Sequence, residues 1–483
     1  MTLSVSKQRS DTLQKLCGEP LDTLVIGGGI VGSSVARDAA MRGLKTGLVE
    51  QHDFAFGTSS RSSRLLHGGI RYLAQGRIGL VREASLEKTV IHEIAPHLAQ
   101  PLAFIFPTYA GTDWPLWQMR IGVKFYDLLC SGRNLGKSSG MSKADTLRAL
   151  PQLNPAKLTG AVRYFDGLTN DARLVLDTLR SAQAHGAALL NYCQFQNATR
   201  ENNLWRCPVL DTITGQVHEI RARTIVNASG PWAANLPHSR VKLRLTKGIH
   251  LVLNRNRIPA ADAVVLTKGK RILFVIPWGE RTILGTTDTD YNGSLDRVRP
   301  DSNDISYLLG VANETFPAAA LTAKDVISSW AGLRPLLANP NGTASDISRA
   351  HQIKNPEPGW WDVAGGKLTT CRLMAEQTMD RLISSAGFSG ADCRTASEPL
   401  LSKTDAFSGI LPAAFNRAAV EHYCHDEWTL HLDDLMIRRT SWHYYHADAR
   451  NKALQAADWM SEILGWSAAE RQNEIARYAG AVD

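Results

Sequence analysis

A glycine-rich turn that joins an apolar strand to a helix constrains the fold of this chain more than any other stretch. The sequence GGGIVG at positions 27–32 directly follows an apolar run at positions 24–26. A helical segment then extends to Gly43, and a second short strand at positions 46–49 ends in Glu50. This order of strand, GxGxxG turn, helix, strand and acid is typical of a Rossmann-like dinucleotide-binding unit.

Each part of this unit has a physical role in holding a pyrophosphate. Gly27 allows the tight turn, Gly29 allows the backbone to approach the phosphates, and Gly32 allows the helix to pack on the strand. The first amides of the helix and the positive end of its dipole then face the phosphates. Glu50 lies 23 residues after Gly27 (50 − 27), where its carboxylate can accept a hydroxyl of an unphosphorylated ribose.

The segment at positions 56–73 indicates which dinucleotide is bound. It combines small hydroxyl residues, paired glycines, a histidine and several arginines directly after the ribose acid. A flavin enzyme needs such an arm, because hydroxyls and backbone amides run along the flavin while a substrate is held over the ring. The sequences TSS at 58–60 and HGGIRYL at 67–73 closely resemble the signature of FAD-dependent glycerol-3-phosphate dehydrogenases.

Further segments resemble that family in order along the chain. They are DARL at 171–174, GTTD at 285–288, GLRPL at 332–336, GGKLTT at 365–370 and DDLMIRRT at 433–440. The sequence NASGPW at 227–232 resembles the turn by which glutathione-reductase-like and amine-oxidase-like flavoproteins return to the cofactor. The resemblance covers residues 21 to about 440. Val31, Ser33 and Ile249 depart from the family pattern, and the C-terminal part looks shortened.

The resemblance implies a cofactor site, a substrate site and a catalytic set. The implied cofactor-binding residues are Gly27, Gly28, Gly29, Gly32, Glu50, Gln51, Thr58, Ser59, Ser60, Ser63, Gly68, Gly69, Ser229, Gly230, Gly366, Lys367, Leu368 and Thr369. The implied substrate-binding residues are Arg71, Tyr72, Arg349 and Lys367. His67, His250 and Arg334 are the catalytic candidates.

The residue types in this set match the chemistry of oxidising a phosphorylated alcohol. Arginine binds phosphate oxygens bidentately, and histidine accepts a hydroxyl proton near neutral pH. Which of His67 and His250 takes the proton stays open. Tyr72 either contacts substrate or packs, and Lys367 serves either the flavin or the phosphate.

The expected fold class is α/β, with a Rossmann-like FAD-binding domain of the glutathione-reductase or amino-acid-oxidase type, a β-sheet substrate domain and a C-terminal helical domain. The predicted FAD-binding parts are residues 21–100, 166–245 and 329–390, the substrate parts are 101–165 and 246–328, and the helical domain is 397–483. Residues 426–440 and 451–479 are expected to be helical. Residues 1–20 are polar, and we expect them to form a mobile arm.

Composition and charge indicate which classes of partner to expect, among nucleic acid, metal ions and membranes. The formal charge of +8 comes from Lys and Arg spread along the chain, without a recognisable nucleic-acid module. Seven scattered cysteines without a CxxC pair favour reduced thiols and no metal site. No apolar run is long enough to span a membrane. Residues 116–129 predict a largely apolar helix with Arg120 and Lys124, which either enters a membrane interface or packs against the substrate domain.

The function that the resemblance implies is oxidation of sn-glycerol 3-phosphate to dihydroxyacetone phosphate by hydride transfer to FAD, with electrons passed to a membrane quinone. Such an enzyme would be cytoplasmic and peripheral on the cytoplasmic face of the inner membrane. Whether it forms a homodimer stays open. One alternative is a glycerol-3-phosphate oxidase, or a dehydrogenase of another polyol phosphate, on the same fold. A second is a non-catalytic flavin-binding protein.

Overall fold

The described part of the chain combines strands and helices, as the predicted α/β class requires. The structure is a computed structural model that describes residues 5–73, 75–269, 271–338, 351–402 and 404–482. Nineteen strands form in these residues: β1 (Leu21–Ile26), β2 (Thr46–Val49), β3 (Leu65–Leu66), β4 (Ala99–Tyr109), β5 (Ser139–Met141), β6 (Leu158–Thr169), β7 (Ala188–Leu190), β8 (Cys193–Phe195), β9 (Thr199–Glu201), β10 (Leu204–Asp211), β11 (Val217–Asn227), β12 (Leu243–Asn254), β13 (Ala263–Lys268), β14 (Arg271–Trp278), β15 (Arg281–Gly285), β16 (Thr289–Asp290), β17 (Val326–Leu337), β18 (His351–Glu357) and β19 (Trp360–Gly365).

The helices lie mainly between these strands and after the last of them. Twelve α-helices form in the described residues: α1 (Val5–Cys17), α2 (Ile30–Met41), α3 (Ile78–Ile94), α4 (Leu116–Leu129), α5 (Lys143–Ala149), α6 (Asp171–Ala184), α7 (Ser302–Thr315), α8 (Cys371–Ala386), α9 (Arg417–Asp426), α10 (Trp442–Tyr445), α11 (Ala449–Leu464) and α12 (Ala468–Val482). A π-helical turn spans Asp434–Arg439.

The chain divides into two units. The first unit comprises Met1–Ser60, Asp171–Leu245 and Arg334–Asp483, and the second comprises Arg61–Asn170 and Thr246–Leu333. Each unit is therefore assembled from separated stretches of sequence. The limits predicted above for the individual domains remain predictions.

The first unit contains a sheet in the order β18-β19-β11-β1-β2-β7, with β10 added to β11 and with β8 and β9 paired to β10. Strands β1, β2, β7, β11 and β19 run parallel. Leu24, Val25, Ile225 and Val226 are fully buried, as expected for parallel strands covered on both faces. Helix α2 joins the paired strands β1 and β2, and it packs against α6 and α8.

The second unit is built on a largely antiparallel sheet in the order β16-β12-β15-β14-β13-β4-β6-β3, with β17 on β12 and β5 on β6. The long pair β4 and β6 runs in register from Ala99 opposite Thr169 to Thr108 opposite Gly160. Strands β13 and β4 run parallel. The sequence predicts a β-sheet substrate domain, and this unit is built on a sheet of that kind.

The amino-terminal residues form a helix, so the expectation of a mobile arm is wrong for residues 5–17. The Arg9 guanidinium donates to the carbonyl oxygens of Asn191 at 2.8 Å and Tyr192 at 3.2 Å, and it forms an ion pair with Asp211 at 2.6 Å. Leu16 is completely buried in the apolar cluster beneath the first sheet. The mostly polar composition of this stretch led to the wrong expectation. Arg9 and the buried Leu16 hold the helix, and Leu13 and Cys17 pack against the same cluster.

The C-terminal segment also departs from the prediction of one helix over 426–440. Helix α9 ends at Asp426, and Trp428 has a positive φ of 52°. One carboxylate oxygen of Asp434 accepts hydrogen bonds from the backbone amides of Leu430 at 3.0 Å and His431 at 2.9 Å. This carboxylate stabilises a non-helical bend before the π-helical turn.

In the described part of the chain, no helix combines the length and apolar character needed to cross a membrane.

Candidate cofactor and active site

The glycine turn after β1 opens onto a cleft in the first unit. The cleft has a volume of about 1150 Å³ including its open mouth. Of the predicted cofactor residues, those that line it are Gly27, Gly29, Glu50, Gln51, Thr58, Ser59, Ser229, Gly230, Gly366, Lys367 and Leu368. Gly28, Ser60 and Thr369 are chain neighbours of these residues, and Gly32 follows Val31, which also lines the cleft. The structure thus brings together the predicted cofactor residues of three distant segments.

The backbone of the turn leaves no room for side chains where a pyrophosphate would approach. A Cβ atom on Gly32 would lie 1.9 Å from the carbonyl oxygen of Gly27, and one on Gly27, whose φ is +108°, would lie 2.8 Å from that of Ala228. A Cβ atom on Gly29 would lie 3.1 Å from the Ser59 hydroxyl. This close-packed turn at the start of α2 fits a dinucleotide phosphate.

Ser59, in the TSS sequence at 58–60, contacts the start of helix α2. Gly29 is the N-cap residue of α2 and has no side chain to accept from the first turn. The Ser59 hydroxyl takes this role and accepts from the Ile30 amide at 2.9 Å. The predicted hydroxyl segment therefore supports the phosphate turn from outside the helix.

Glu50 lines the cleft with a carboxylate that is held by backbone donors. The amides of Gly28 and His52 donate to its two oxygens at 2.7 and 2.9 Å. Burial raises the pKa of Glu50 to about 7, despite the opposing effect of these two donors. A carboxylate held in this way can accept a ribose hydroxyl, as the sequence predicts.

Two further turns, one after β11 and one after β19, also line the cleft. Ser229 and Gly230 line the cleft, and the Ser229 hydroxyl donates to the Asn227 side chain at 2.7 Å. Lys367 and Leu368 line it from the GGKLTT turn that leads into α8. Arg334 lies on β17 beside Pro335, which also lines the cleft.

The second unit contains the two candidate histidines and the rest of the HGGIRYL segment. Ser63 Oγ and His250 Nε2 are joined by a hydrogen bond of 2.7 Å. The His250 ring stacks on Trp330, with 5.2 Å between ring centroids and 22° between planes. A Cβ atom on Gly285 would lie 2.2 Å from the imidazole, so this glycine makes room for it. The structure therefore fixes the His250 ring on several sides.

Arg64 belongs to the surroundings of His250 and was not predicted. It is a buried arginine with a positive φ of 56°. Its guanidinium lies 4.4 Å from the ring centroid of Trp278 and 5.3 Å from that of Trp330. Its place inside the predicted 56–73 segment was the available signal, but only the fold shows that it stacks on these two tryptophans.

The segment after His67 is anchored through its backbone and through Tyr72. The Gly68 amide donates to the Tyr126 hydroxyl at 2.8 Å. Arg71 donates to the Tyr72 hydroxyl at 2.8 Å, and Tyr72 is buried. Tyr72 thus packs and also orients Arg71. Gly69 has the left-handed φ of 84° that glycine accommodates.

The roles assigned to individual residues remain predictions. The structure places Ser63, His67, Gly68, Gly69, Arg71, Tyr72 and His250 in the second unit, and it places Arg334 and the cleft residues in the first. Arg349 lies outside the described residues.

Comparison with known proteins gives the family. A family model described as FAD dependent oxidoreductase matches residues 22–381. Glycerol-3-phosphate dehydrogenase 2 of Mycobacterium tuberculosis (strain ATCC 25618 / H37Rv) is 35% identical over 538 residues, covering 99% of this chain and 90% of that protein. The aerobic glycerol-3-phosphate dehydrogenase of Staphylococcus aureus (strain NCTC 8325 / PS 47) is 36% identical over 408 residues, covering 82% and 73%.

Solved structures agree with this assignment. The glycerol-3-phosphate dehydrogenase of Bacillus halodurans, complexed with FAD, superposes with a TM-score of 0.79 at 28% identity, covering 99% of this chain and 97% of that one. Glycine oxidase from Geobacillus kaustophilus shares the fold, with a TM-score of 0.58 at 20% identity. The predicted fold class and the predicted cofactor are confirmed. The chain belongs to the FAD-dependent glycerol-3-phosphate dehydrogenase family, within the FAD-dependent oxidoreductases.

Proposed function

We propose that this protein oxidises sn-glycerol 3-phosphate to dihydroxyacetone phosphate and passes the electrons to a membrane quinone. The observation that carries the proposal is the cofactor cleft of the first unit, in a chain that aligns over 99% of its length with a protein named glycerol-3-phosphate dehydrogenase. When bound, FAD supplies the two-electron oxidant that takes the hydride from carbon 2 of the alcohol.

The candidate residues of this chain supply the remaining chemistry. Loss of a hydride from carbon 2 leaves a carbonyl only if the hydroxyl proton is also removed, and a histidine suits this step. His250 is held for it by the hydrogen bond to Ser63 and by the stack on Trp330. His67, next to the anchored Gly68 amide, is the second candidate.

Arginine side chains suit the phosphate of the substrate. Arg71 is oriented by its hydrogen bond to Tyr72, with the guanidinium carbon 4.9 Å from the centre of that ring. Arg334 and Arg349 are the further predicted cations, and Lys367 lines the cofactor cleft. A planar guanidinium binds two phosphate oxygens at once, so we assign substrate anchoring to Arg71 and Arg334.

We further propose that the protein binds the cytoplasmic face of an anionic membrane through α4. Trp117, Ile121, Phe125 and Leu128 recur at helical spacing and are 62%, 63%, 38% and 70% exposed. Met119, Val123, Tyr126 and Leu129 bury the other face of the helix. Arg120 and Lys124 add positive charge beside the exposed stripe. An interfacial helix combines an apolar face with cations that attract anionic lipid headgroups.

The enzymatic proposal is tested by mixing the FAD-loaded protein with glycerol 3-phosphate under anaerobic conditions. We expect the flavin absorbance to bleach and a quinone analogue to restore it. Arg334→Ala should abolish bleaching while FAD stays bound. Absence of bleaching in the wild type would favour the non-catalytic alternative. Stoichiometric peroxide in air would favour an oxidase, and faster bleaching by another polyol phosphate would change the substrate.

The membrane proposal is tested with vesicles of phosphatidylglycerol and phosphatidylcholine. We expect Trp117→Gln with Leu128→Gln to remove vesicle binding and to leave bleaching by glycerol 3-phosphate unchanged. Leu454→Gln is the matched control, because Leu454 is an exposed leucine on the separate helix α11. Undiminished vesicle binding by the α4 double variant would rule out α4 as the docking surface.

A further inference from the structure

A buried ion cluster joins the C-terminal segment to the loop that carries Glu50. The Asp53 cluster consists of Asp53, Asp433, Asp434, Arg438 and Arg439, all of them buried. Arg439 donates to both carboxylate oxygens of Asp53, at 2.5 and 2.8 Å, and Arg438 donates to one of them at 2.5 Å. Arg438 also pairs with Asp433 at 2.8 Å and with Asp434 at 2.6 Å.

The ionised state of Asp53 depends on the charges of its arginine partners. The positive charges of Arg439 and Arg438 keep the pKa of Asp53 below its ordinary value against the opposing effect of burial. Removal of one partner from a buried ion pair leaves an uncompensated charge, which is far more costly than loss of a surface pair. The position of Asp53 is therefore tied to the two arginines.

Asp53 lies in a loop that builds the adenosine end of the predicted cofactor site. Glu50, three residues earlier, accepts from the Gly28 amide at 2.7 Å, and the Ala55 amide donates to the Gly28 carbonyl at 3.0 Å. A Cβ atom on Gly28 would lie 2.5 Å from the Phe54 ring. A shift of Asp53 would therefore displace both the ribose acid and the glycine turn.

The C-terminal segment contacts this loop through Trp428 and Arg439. Trp428 packs edge-on against Phe54, with 5.2 Å between ring centroids. Arg439 donates to the carbonyl oxygens of Glu427 at 2.8 Å and Trp428 at 3.1 Å. Arg438 and Arg439 are the last two residues of the π-helical turn, and both guanidinium groups reach the Asp53 carboxylate.

We propose that Asp53 and Arg439 are positioning residues of the cofactor site, through which the C-terminal segment 427–439 holds Glu50 in place for the adenosine half of FAD. The inference builds on the assignment of Glu50 to the ribose. It gives the DDLMIRRT segment a role in nucleotide affinity, although this segment does not line the cleft.

The test measures binding of ADP and of FAD to cofactor-free protein by calorimetry. Arg439→Lys keeps the charge but loses the bidentate fork, and we expect it to weaken both ligands by about tenfold. Arg173→Lys is the matched control. Arg173 is equally buried and pairs with Glu427 of the same segment and with Asp177, and not with Asp53. We expect it to lower the unfolding midpoint and to leave ADP affinity unchanged.

The outcomes separate positioning from general stability. Unchanged ADP affinity in Arg439→Lys, or an equal loss in Arg173→Lys, would overturn the proposal. Should Arg439→Lys fail to fold, Asp53→Asn takes its place, because asparagine keeps the shape of the aspartate side chain. Unchanged ADP affinity in Asp53→Asn, or an equal loss in Arg173→Lys, would then overturn the proposal. Glu50→Gln reports separately on the ribose contact. Weak ADP binding in Glu50→Gln and unchanged binding in Arg439→Lys would leave the site assignment intact and remove the positioning role.

Discussion

Glu50 is a carboxylate whose surroundings favour two opposite protonation states. Its burial beside the cleft raises its pKa to about 7, while the amides of Gly28 and His52 favour the ionised form. A ribose hydroxyl donates a hydrogen bond and therefore favours the ionised form as well. Proton binding and cofactor binding should compete at this residue.

We expect FAD affinity to rise with pH as Glu50 loses its proton. The cofactor-free fold gains stability from the protonated form, and this contribution is lost as pH rises through about 7. Bound FAD compensates, because its ribose hydroxyl donates a hydrogen bond to the ionised carboxylate. Fluorescence titrations of the cofactor-free protein between about pH 6 and 8 should show this rise, and Glu50→Gln should flatten it. An equal pH slope in both proteins would exclude Glu50 as its source.

Helix α4 combines an exposed apolar face with an anchoring tyrosine on the opposite face. Tyr126 accepts from the Gly68 amide at 2.8 Å and donates to Asp166 at 2.5 Å. Lys88 donates to the same carboxylate oxygen at 2.9 Å. Buried networks of this kind are rigid when every member is satisfied. The network thereby fixes the backbone next to His67.

We expect Tyr126→Phe to slow bleaching of bound FAD by glycerol 3-phosphate by about tenfold, because the Gly68 amide loses its closest acceptor. Tyr164→Phe is the control, since Tyr164 is also buried and packs edge-on against Tyr126. Stopped-flow reduction of both variants makes the comparison. Equal rates in the two variants would mean that the hydroxyl of Tyr126 has no special role.

How far the sequence predicts each element depends on how local its determinants are. The turn at Gly27–Gly32 and the strands on either side follow from adjacent residues, and they form as predicted. Helix α1 was missed because Arg9 finds its partners about 180 residues away. The pairing of Arg439 with Asp53 spans 386 residues, and no local pattern encodes it. The stack of Trp330 on His250 likewise needs two distant strands.

The first unit has a second buried ion pair that links its central helices to its C-terminal helices. Arg173 of α6 donates to both carboxylate oxygens of Glu427, one of them at 2.8 Å, and to Asp177 at 2.7 Å. The Arg173 charge holds the pKa of Glu427 far below its ordinary range, against the opposing effect of burial. A lowered carboxylate pKa stabilises the fold above the unfolded-state pKa, and this stabilisation is lost as pH falls.

We expect Arg173→Met to destabilise the cofactor-free protein at pH 7 by roughly 3–5 kcal/mol, because Glu427 would then be buried without its main partner. The wild type should lose stability as the pH falls below about 4.5, and the variant should lose less over the same range. Urea unfolding at several pH values measures both effects. Identical pH profiles would show that this pair does not govern acid stability.

The strands of the first sheet come from three widely separated stretches of sequence, with β19 joining β11 only near residue 360. During synthesis, the turn at Gly366–Leu368 emerges long after the GxGxxG turn, so a growing chain has no complete nucleotide cleft for most of its translation. The antiparallel sheet of the second unit, by contrast, emerges almost entirely before β19. Flavin capture should accordingly be a late event in the biogenesis of this enzyme, and a ribosome stalled before residue 360 should carry a nascent chain that retains no FAD.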